Sequence, residues 1–228
     1  MTTAVVLFDI DGTLIRRSGP HHRQALVDAV KRVTGLDTTT GNIPVQGMLD
    51  RTIMEMMMLE VGATAEQARQ AMPELVEQAQ AMYERNCPGT LRGRVCPGAR
   101  KLLYGLQRRR IPVGLVTGNL TRIAWKKMER AGLRDYFAFG AFAEMAEDRA
   151  GLVSLALNHA KSQGWLGTQT KKWMVGDHEN DVRAARANGI GSVAVATGLS
   201  SMEALAACEP DYLVEDLRRI GLAHLIEA

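Results

Sequence analysis

The chain has 228 residues, of which 46% are apolar and 23% charged, with a formal net charge of +3. That length suits one generous domain or one domain carrying a smaller one, and the composition is that of an ordinary globular protein, not a disordered or membrane-embedded one. The charge is too small to point to a nucleic acid or a membrane surface as partner.

The N-terminal apolar run lacks a basic leader and ends at Asp9, so it reads as a strand and not as a secretion signal. No apolar run approaches the length of a membrane span. Cys87, Cys96 and Cys208 are odd in number, lack close C-x-x-C spacing, and suggest a reducing compartment. The expected location is the cytoplasm.

The first predicted strand, residues 4–9, runs into Ile10-Asp11-Gly12-Thr13-Leu14. Side chains two apart on a strand share a face, so Asp9 and Asp11 converge on one small volume. Two carboxylates that close repel, and one keeps its proton unless a cation joins them. The pair asks for a hard metal ion, an acid paired with a base, or both. The plain alternative is a turn in which Asp and Gly satisfy loop backbone.

From about residue 19 to residue 92 the sequence is helical in pattern, with no convincing strand. Ala25, Leu26, Ala29, Val30 and Val33 recur at helical spacing, as do Ile53, Met56 and Met57. Thr64 with Gln67 forms a capping-box pattern, and Pro73 is expected to open a further helix through Tyr83. Ser18-Gly19-Pro20 marks the entry, and Gly89, Gly93 and Pro97-Gly98 mark the return. The segment reads as an all-helical insertion on two flexible connections, the arrangement a hinged lid needs. A helical layer packed permanently on the core is the alternative.

Beyond it, short apolar runs alternate with helical patterns. Strands are expected at 112–117, 172–177, 192–197 and 212–214, and helices at 99–109, 122–131, 152–163, 181–188 and 202–207. Arg108-Arg109-Arg110 falls where the first of these helices ends, where cations complement the dipole. This alternation predicts an α/β fold, a doubly wound parallel sheet with helices on both faces. Ligands of such sheets sit at the carboxyl ends of the strands. Three expected strands end in polar residues there: Asp9, Thr117 and Asp177. Thr117-Gly118-Asn119 offers a hydroxyl and exposed backbone N–H groups that suit an anion such as phosphate, or makes a plain turn. Gly176-Asp177-His178-Glu179-Asn180-Asp181 places two carboxylates around one loop, oxygen ligands that suit Mg²⁺. Asp181 taken alone reads better as the N-cap of a helix over residues 182–188. His178 is either an exposed loop residue or a neighbour of a metal's water shell.

The three clusters together resemble the haloacid dehalogenase-like hydrolase superfamily, in its phosphoglycolate phosphatase-like and β-phosphoglucomutase-like branch, over nearly the whole chain. The match lies in Asp9-x-Asp11-Gly12-Thr13, Thr117-Gly118-Asn119 and Gly176-Asp177-x-x-x-Asp181. The resemblance implies a Rossmann-like core, residues 1–18 and 93–228, with a helical cap, residues 19–92. It implies Asp9 as nucleophile and Asp11 as general acid/base. Mg²⁺ would be held by Asp9, Asp177, Asp181 and the backbone carbonyl of Asp11. Phosphate would be bound by Gly12, Thr13, Thr117, Gly118 and Asn119. The family's third motif is a lysine, and here the residue in register is Arg149, within Glu147-Asp148-Arg149-Ala150-Gly151-Leu152. Arginine supplies the same charge and a bidentate fork, so Arg149 is expected to share in catalysis and phosphate binding. The alternatives are Lys161, Lys171 or Lys172 in that role, with Arg149 as a first-turn residue paired with Glu147 or Asp148.

The implied reaction is hydrolysis of a small phosphorylated metabolite by a monomer or homodimer, without nucleic-acid or membrane partner. The carboxylate attacks phosphorus and forms an acyl phosphate, while Asp11 protonates the leaving oxygen and later deprotonates water. A leaving alkoxide needs that acid and a halide does not, so Asp11 argues against a dehalogenase. A phosphomutase differs only in where the phosphoryl group goes next. Gly47, Asp50, Arg51 and Thr52 are where cap contacts with substrate are expected. A non-catalytic phosphate-sensing or signalling protein would explain the acidic strand ends but neither the insertion nor Asp11.

Overall fold

All five residues of the first strand, β1 (Ala4–Phe8), are buried, as a continuous apolar run is when helices cover both faces of a parallel sheet. The structure, a computed structural model, describes residues 2–16 and 19–226. The other strands are β2 (Val113–Val116), β3 (Phe139–Ala141), β4 (Lys171–Gly176), β5 (Gly191–Val195) and β6 (Tyr212–Val214). They form one parallel sheet in the order β3-β2-β1-β4-β5-β6. Strand β3 is an addition to the sequence reading. It has only three residues, Phe139-Gly140-Ala141, too few to register as an apolar run.

The period of two along β1 sorts its side chains between two cores. Val5 and Leu7 join one apolar cluster with Met174 and Val153, and Ala4, Val6 and Phe8 join another with Leu103 and Met128. β1 lies between β2 and β4, where strand order reverses, and that is where open α/β sheets form their ligand crevice. Phe8 sits opposite both Leu115 and Val175, so the residues that follow the three strands emerge side by side.

Between β1 and β2 the chain forms α1 (His21–Thr34), α2 (Asp50–Glu60) and α3 (Ala65–Asn86), and no strand. Ser18, at the expected entry to this segment, lies outside the described residues. The helices pack on one another through Leu26, Val30, Met54, Met57, Leu75 and Tyr83. Thr64 and Gln67 form the expected capping box at the start of α3. Pro73 does not open a new helix, because α3 runs through it for 22 residues. An interior proline costs about 3 kcal/mol, and a long helix burying Ala68, Leu75, Ala79 and Tyr83 offsets that.

The remaining helices are α4 (Ala99–Arg108), α5 (Thr121–Ala131), α6 (Arg149–Ser162), α7 (Glu179–Ala187), α8 (Met202–Ala206) and α9 (Leu222–Ile226). Helix α6 starts three residues before its expected position because the Asp148 carboxylate caps it, accepting from Gly151 N at 2.7 Å. Among the described residues, no helix is long and apolar enough to cross a membrane.

Candidate active site

The loop after β1 turns sharply at Gly12, whose φ of +92° is strained for any side-chain-bearing residue. A Cβ there would lie 2.2 Å from Asp177 Oδ2, so the turn also lets the loop press against the end of β4. Thr13, fully buried, donates its hydroxyl to Asp177 Oδ1 at 2.9 Å. The Gly12-Thr13 pair thus seats a carboxylate of the neighbouring strand.

Asp177 stands beside Asp9 and Asp181, all three buried, with one carboxylate oxygen from each lying within 4.8 Å of the others. Asp181 is the third residue of α7 and not its N-cap; His178 caps the helix, and Asp181 Oδ2 accepts from His178 N in return. The capping box aims the Asp181 carboxylate back toward the strand ends. His178 is therefore no exposed loop residue. Its Nδ1 accepts from Asn180 N at 3.1 Å, and its Nε2 is 3.3 Å from Glu179 Oε2.

Arg149 opens α6 and is only 8% exposed. Its Nη1 donates to Asp9 Oδ1 at 3.1 Å and lies 3.0 Å from Asp181 Oδ1. Burial opposes the guanidinium's charge, but the Asp181 and Asp9 carboxylates outweigh it and raise its pKa. It pairs with neither Glu147 nor Asp148: Glu147 Oε1 takes Arg51 Nη1 at 3.2 Å, and Asp148 caps the helix. Lys171 and Lys172 start β4, at the opposite end of the sheet, and Lys161 lies in the last turn of α6. The geometry brings Arg149, and none of these three lysines, to the carboxylates.

One guanidinium does not balance three carboxylates. Burial first, then the nearby Asp9 and Asp181, push Asp177 well above the usual carboxylate range. Burial likewise pushes Asp181 up to about 7, with Asp9 adding to the rise and Arg149 opposing it. Asp181 Oδ1 is buried, and despite the nearby Arg149 it accepts no well-aligned hydrogen bond. An orphaned oxygen in an all-oxygen donor set, which when fully ionised carries two negative charges beyond those Arg149 balances, fits a hard divalent cation.

Asp11 faces a different environment. Its Oδ2 accepts from Lys127 Nζ at 2.5 Å and from Asn119 Nδ2 at 2.8 Å. Burial would raise its pKa, but the Lys127 ammonium and the hydrogen bonds from Lys127 and Asn119 hold it below the usual range. Lys127 and His22 are functional candidates that the sequence reading missed. A signal was present: Lys127 falls on the stripe of Ile123, Ala124, Met128 and Ala131 that α5 buries, where the helical period asks for an apolar residue.

Thr117, fully buried at the end of β2, accepts from Asn119 Nδ2 at 2.7 Å. A Cβ on Gly118 would lie 2.1 Å from Met48 O, so the glycine admits the helical segment to the strand ends. Asp50 N donates to Gly118 O at 2.8 Å, and Asn180 Nδ2 donates to Gly47 O at 3.0 Å. Arg122, at the start of α5, pairs with Glu77 and Glu84 of α3. Beneath this cover lies a cavity of about 640 Å³ lined by Asp9, Asp11, Thr117, Gly118, Asn119 and Arg149, among others. Of the expected substrate contacts, Gly47 and Asp50 line it, Arg51 is engaged with Glu147, and Thr52 is not part of its wall.

A family model described as haloacid dehalogenase-like hydrolase matches residues 3–189. The phosphoglycolate phosphatase of Synechococcus elongatus is 32% identical over 124 residues, 52% of this chain and 54% of the relative. That of Chromobacterium violaceum is 34% identical over 114 residues, half of each chain. The chain thus spans about half the length of these two curated relatives. That of Vibrio vulnificus strain CMCP6 is 25% identical over 236 residues, 98% of this chain and 97% of the relative. Among solved structures, the β-phosphoglucomutase of Clostridium difficile superimposes with a TM-score of 0.70 at 18% identity, covering 100% of this chain and 96% of its own. A predicted phosphoglycolate phosphatase from Haemophilus somnus gives 0.66 at 19%, covering 95% and 96%. At those identities the likeness is one of fold.

Proposed function

The chain belongs to the haloacid dehalogenase-like hydrolase family, and we propose that it is a cytoplasmic, Mg²⁺-dependent phosphatase that hydrolyses a small phosphomonoester through an aspartyl-phosphate. Residues 1–18 and 93–228 are its catalytic core and residues 19–92 its cap. The observation that carries the reading is the Arg149 guanidinium, set 3.1 Å from Asp9 Oδ1 and 3.0 Å from Asp181 Oδ1 at the floor of the covered cavity.

Asp9, Asp177 and Asp181 would hold Mg²⁺, together with the backbone carbonyl of Asp11. When bound, the ion supplies positive charge that offsets the repulsion between the nucleophile and the phosphoryl group. Asp9 attacks phosphorus, and the bond to the leaving alkoxide breaks as Asp11 delivers a proton taken up with the substrate, since its contacts with Lys127 and Asn119 hold it as a carboxylate in the free protein. Asp11, now a carboxylate, takes a proton from water as the water oxygen bonds to phosphorus and the link to Asp9 breaks. Arg149 stays beside Asp9 throughout and balances charge on the phosphoryl oxygens, with the Thr117 hydroxyl and the backbone of Gly118 and Asn119 as further phosphate ligands. The segment over the cavity excludes bulk water. Thr13 supports the site through Asp177.

The printed names of the relatives make phosphoglycolate the first substrate to try. The test is phosphate release from p-nitrophenyl phosphate and from a panel of phosphorylated metabolites, with and without Mg²⁺. Panel products are also inspected for isomerised sugar phosphate, which a mutase would make. Absence of release from every member, with Mg²⁺ present and the protein folded, would overturn the proposal.

A further inference from the structure

Lys127 is 1% exposed, and burying an ammonium is costly unless each of its protons finds an acceptor. Here all three do. Nζ lies 2.5 Å from Asp11 Oδ2, 2.6 Å from Asn119 Oδ1 and 3.1 Å from His22 Nδ1. The third contact fixes the imidazole: Nδ1 accepts, so Nε2 carries the proton and donates to Asp50 Oδ2 at 2.9 Å. The same Asp50 oxygen accepts from Leu120 N at 2.9 Å. His22 lies in α1 and Asp50 opens α2, whereas Asp11, Asn119, Leu120 and Lys127 lie in the loops and helix beside the sheet. One continuous polar chain therefore joins the helical segment to a carboxylate of the candidate active site.

A merely structural position on this buried stripe of α5 would be served at lower cost by an apolar residue. The arrangement does something an apolar residue cannot. Lys127 and Asn119 both engage Asp11 Oδ2 and leave the second carboxylate oxygen free of either. We propose that Lys127 is a positioning residue: with the helical segment seated through His22 and Asp50, it holds Asp11 oriented to take the proton of the water that attacks the aspartyl-phosphate. In that step the water oxygen bonds to phosphorus, the bond from phosphorus to the Asp9 oxygen breaks, and the water's proton goes to Asp11. The inference rests on the reading of Asp9 as nucleophile and Asp11 as acid/base.

The test uses the full chain with p-nitrophenyl phosphate and Mg²⁺, comparing the parent with Lys127→Met, Lys127→Arg, His22→Leu and the Lys127→Met/His22→Leu double variant. A misplaced base slows chemistry, so Lys127→Met is expected to lower kcat about 10- to 100-fold. KM should fall in the same proportion, leaving kcat/KM within about threefold of the parent, because the first half-reaction is untouched. Because p-nitrophenolate leaves with little need of an acid, the second half-reaction is the one impaired, and acid-quenched Lys127→Met should carry phosphorylated Asp9 at steady state, seen by intact and peptide mass spectrometry. Lys127→Arg should recover part of kcat. His22→Leu should show the same signature more weakly and add nothing in the Lys127→Met background, since it acts through Lys127.

A kcat for Lys127→Met within about threefold of the parent, or a loss without phosphoenzyme, overturns the proposal. So does an undiminished effect of His22→Leu in the double variant. If Lys127→Met does not fold, Lys127→Arg and His22→Leu decide, and no rise in phosphoenzyme in either overturns it. Asp9→Asn serves as control: turnover surviving there shows that the reading of Asp9 as nucleophile has failed, whereas its loss with unaltered Lys127 variants isolates the failure to this inference.

Discussion

Replacing Arg149 with alanine removes the cation that lies 3.1 Å from Asp9 Oδ1 and 3.0 Å from Asp181 Oδ1. At such separations, with an effective dielectric of about 20, each pair has a gross Coulomb energy of roughly 5 kcal/mol. Desolvation offsets most of that, and breaking a buried pair by deleting one member costs about 3–5 kcal/mol net. Arg149→Ala should therefore lower Tm, and by less in Mg²⁺ than in chelator, because a bound cation restores part of the missing charge. Turnover of p-nitrophenyl phosphate should fall by about 10²–10³, the usual cost of removing a preorganised charge from a transition state. Arg149→Lys should restore part of this, since one ammonium cannot reproduce the guanidinium's planar fork beside two carboxylates. The assay is steady-state kinetics at saturating Mg²⁺, with melting curves as a folding control. Near-parental turnover in folded Arg149→Ala would refute the reasoning. It would return the role to a lysine, although Lys161 lies about 18 Å further along the same helix.

Three further outcomes follow from the same geometry. Asp9→Asn keeps the side chain's size but not its nucleophile, so turnover should fall by about 10³ or more, with no phosphoenzyme trapped; activity within about tenfold of the parent would place the nucleophile elsewhere. Asp177→Ala should weaken Mg²⁺ binding by calorimetry, with activity only partly rescued by excess Mg²⁺, and full parental activity after rigorous chelation would rule out metal assistance. Asp181 holds its proton up to about pH 7 in the fold, against an ordinary value of 3.8. Its stabilisation is therefore complete below that ordinary value and lost as pH rises to about 7, by up to roughly 4 kcal/mol. Melting in chelator between about pH 5 and about pH 7 should show a shallower fall for Asp181→Asn than for the parent, and equal slopes would contradict the assignment.

Much of this was legible because parallel sheets advertise themselves. Buried strands read as apolar runs, and the polar residue that ends each run marks the crevice, which is how Asp9, Thr117 and Asp177 emerge in sequence before they are neighbours in space. What escaped was set by packing. Strand β3 is a three-residue edge whose pairing with β2 defines it more than its composition does. Pro73 reads locally as a helix start, yet the tertiary burial of α3 overrides it. Asp181 reads locally as an N-cap, but His178 takes that place and turns Asp181 into the site. Lys127 was hidden because a lysine in a helix reads as solvent-facing, and only its register against Ile123, Ala124 and Met128 places it inside.

The two carboxylates of the Asp9-x-Asp11 pair leave the same strand and reach opposite electrostatic settings. Asp9 joins Asp177 and Asp181, where burial and mutual repulsion push Asp177 and Asp181 upward and leave a deficit of positive charge beside a single guanidinium. Asp11 turns to a buried ammonium and an amide, which hold its pKa down. Groups whose environments drive their ionisation apart are the mark of a site that divides labour. The acidic trio could hold a cation, whereas Asp11 already has one supplied by the protein. That division explains why a chain with one Asp-x-Asp pair keeps two buried cations, Arg149 and Lys127, on separate helices: exchanging their partners would leave the trio without its guanidinium and Asp11 without its link to the helical segment.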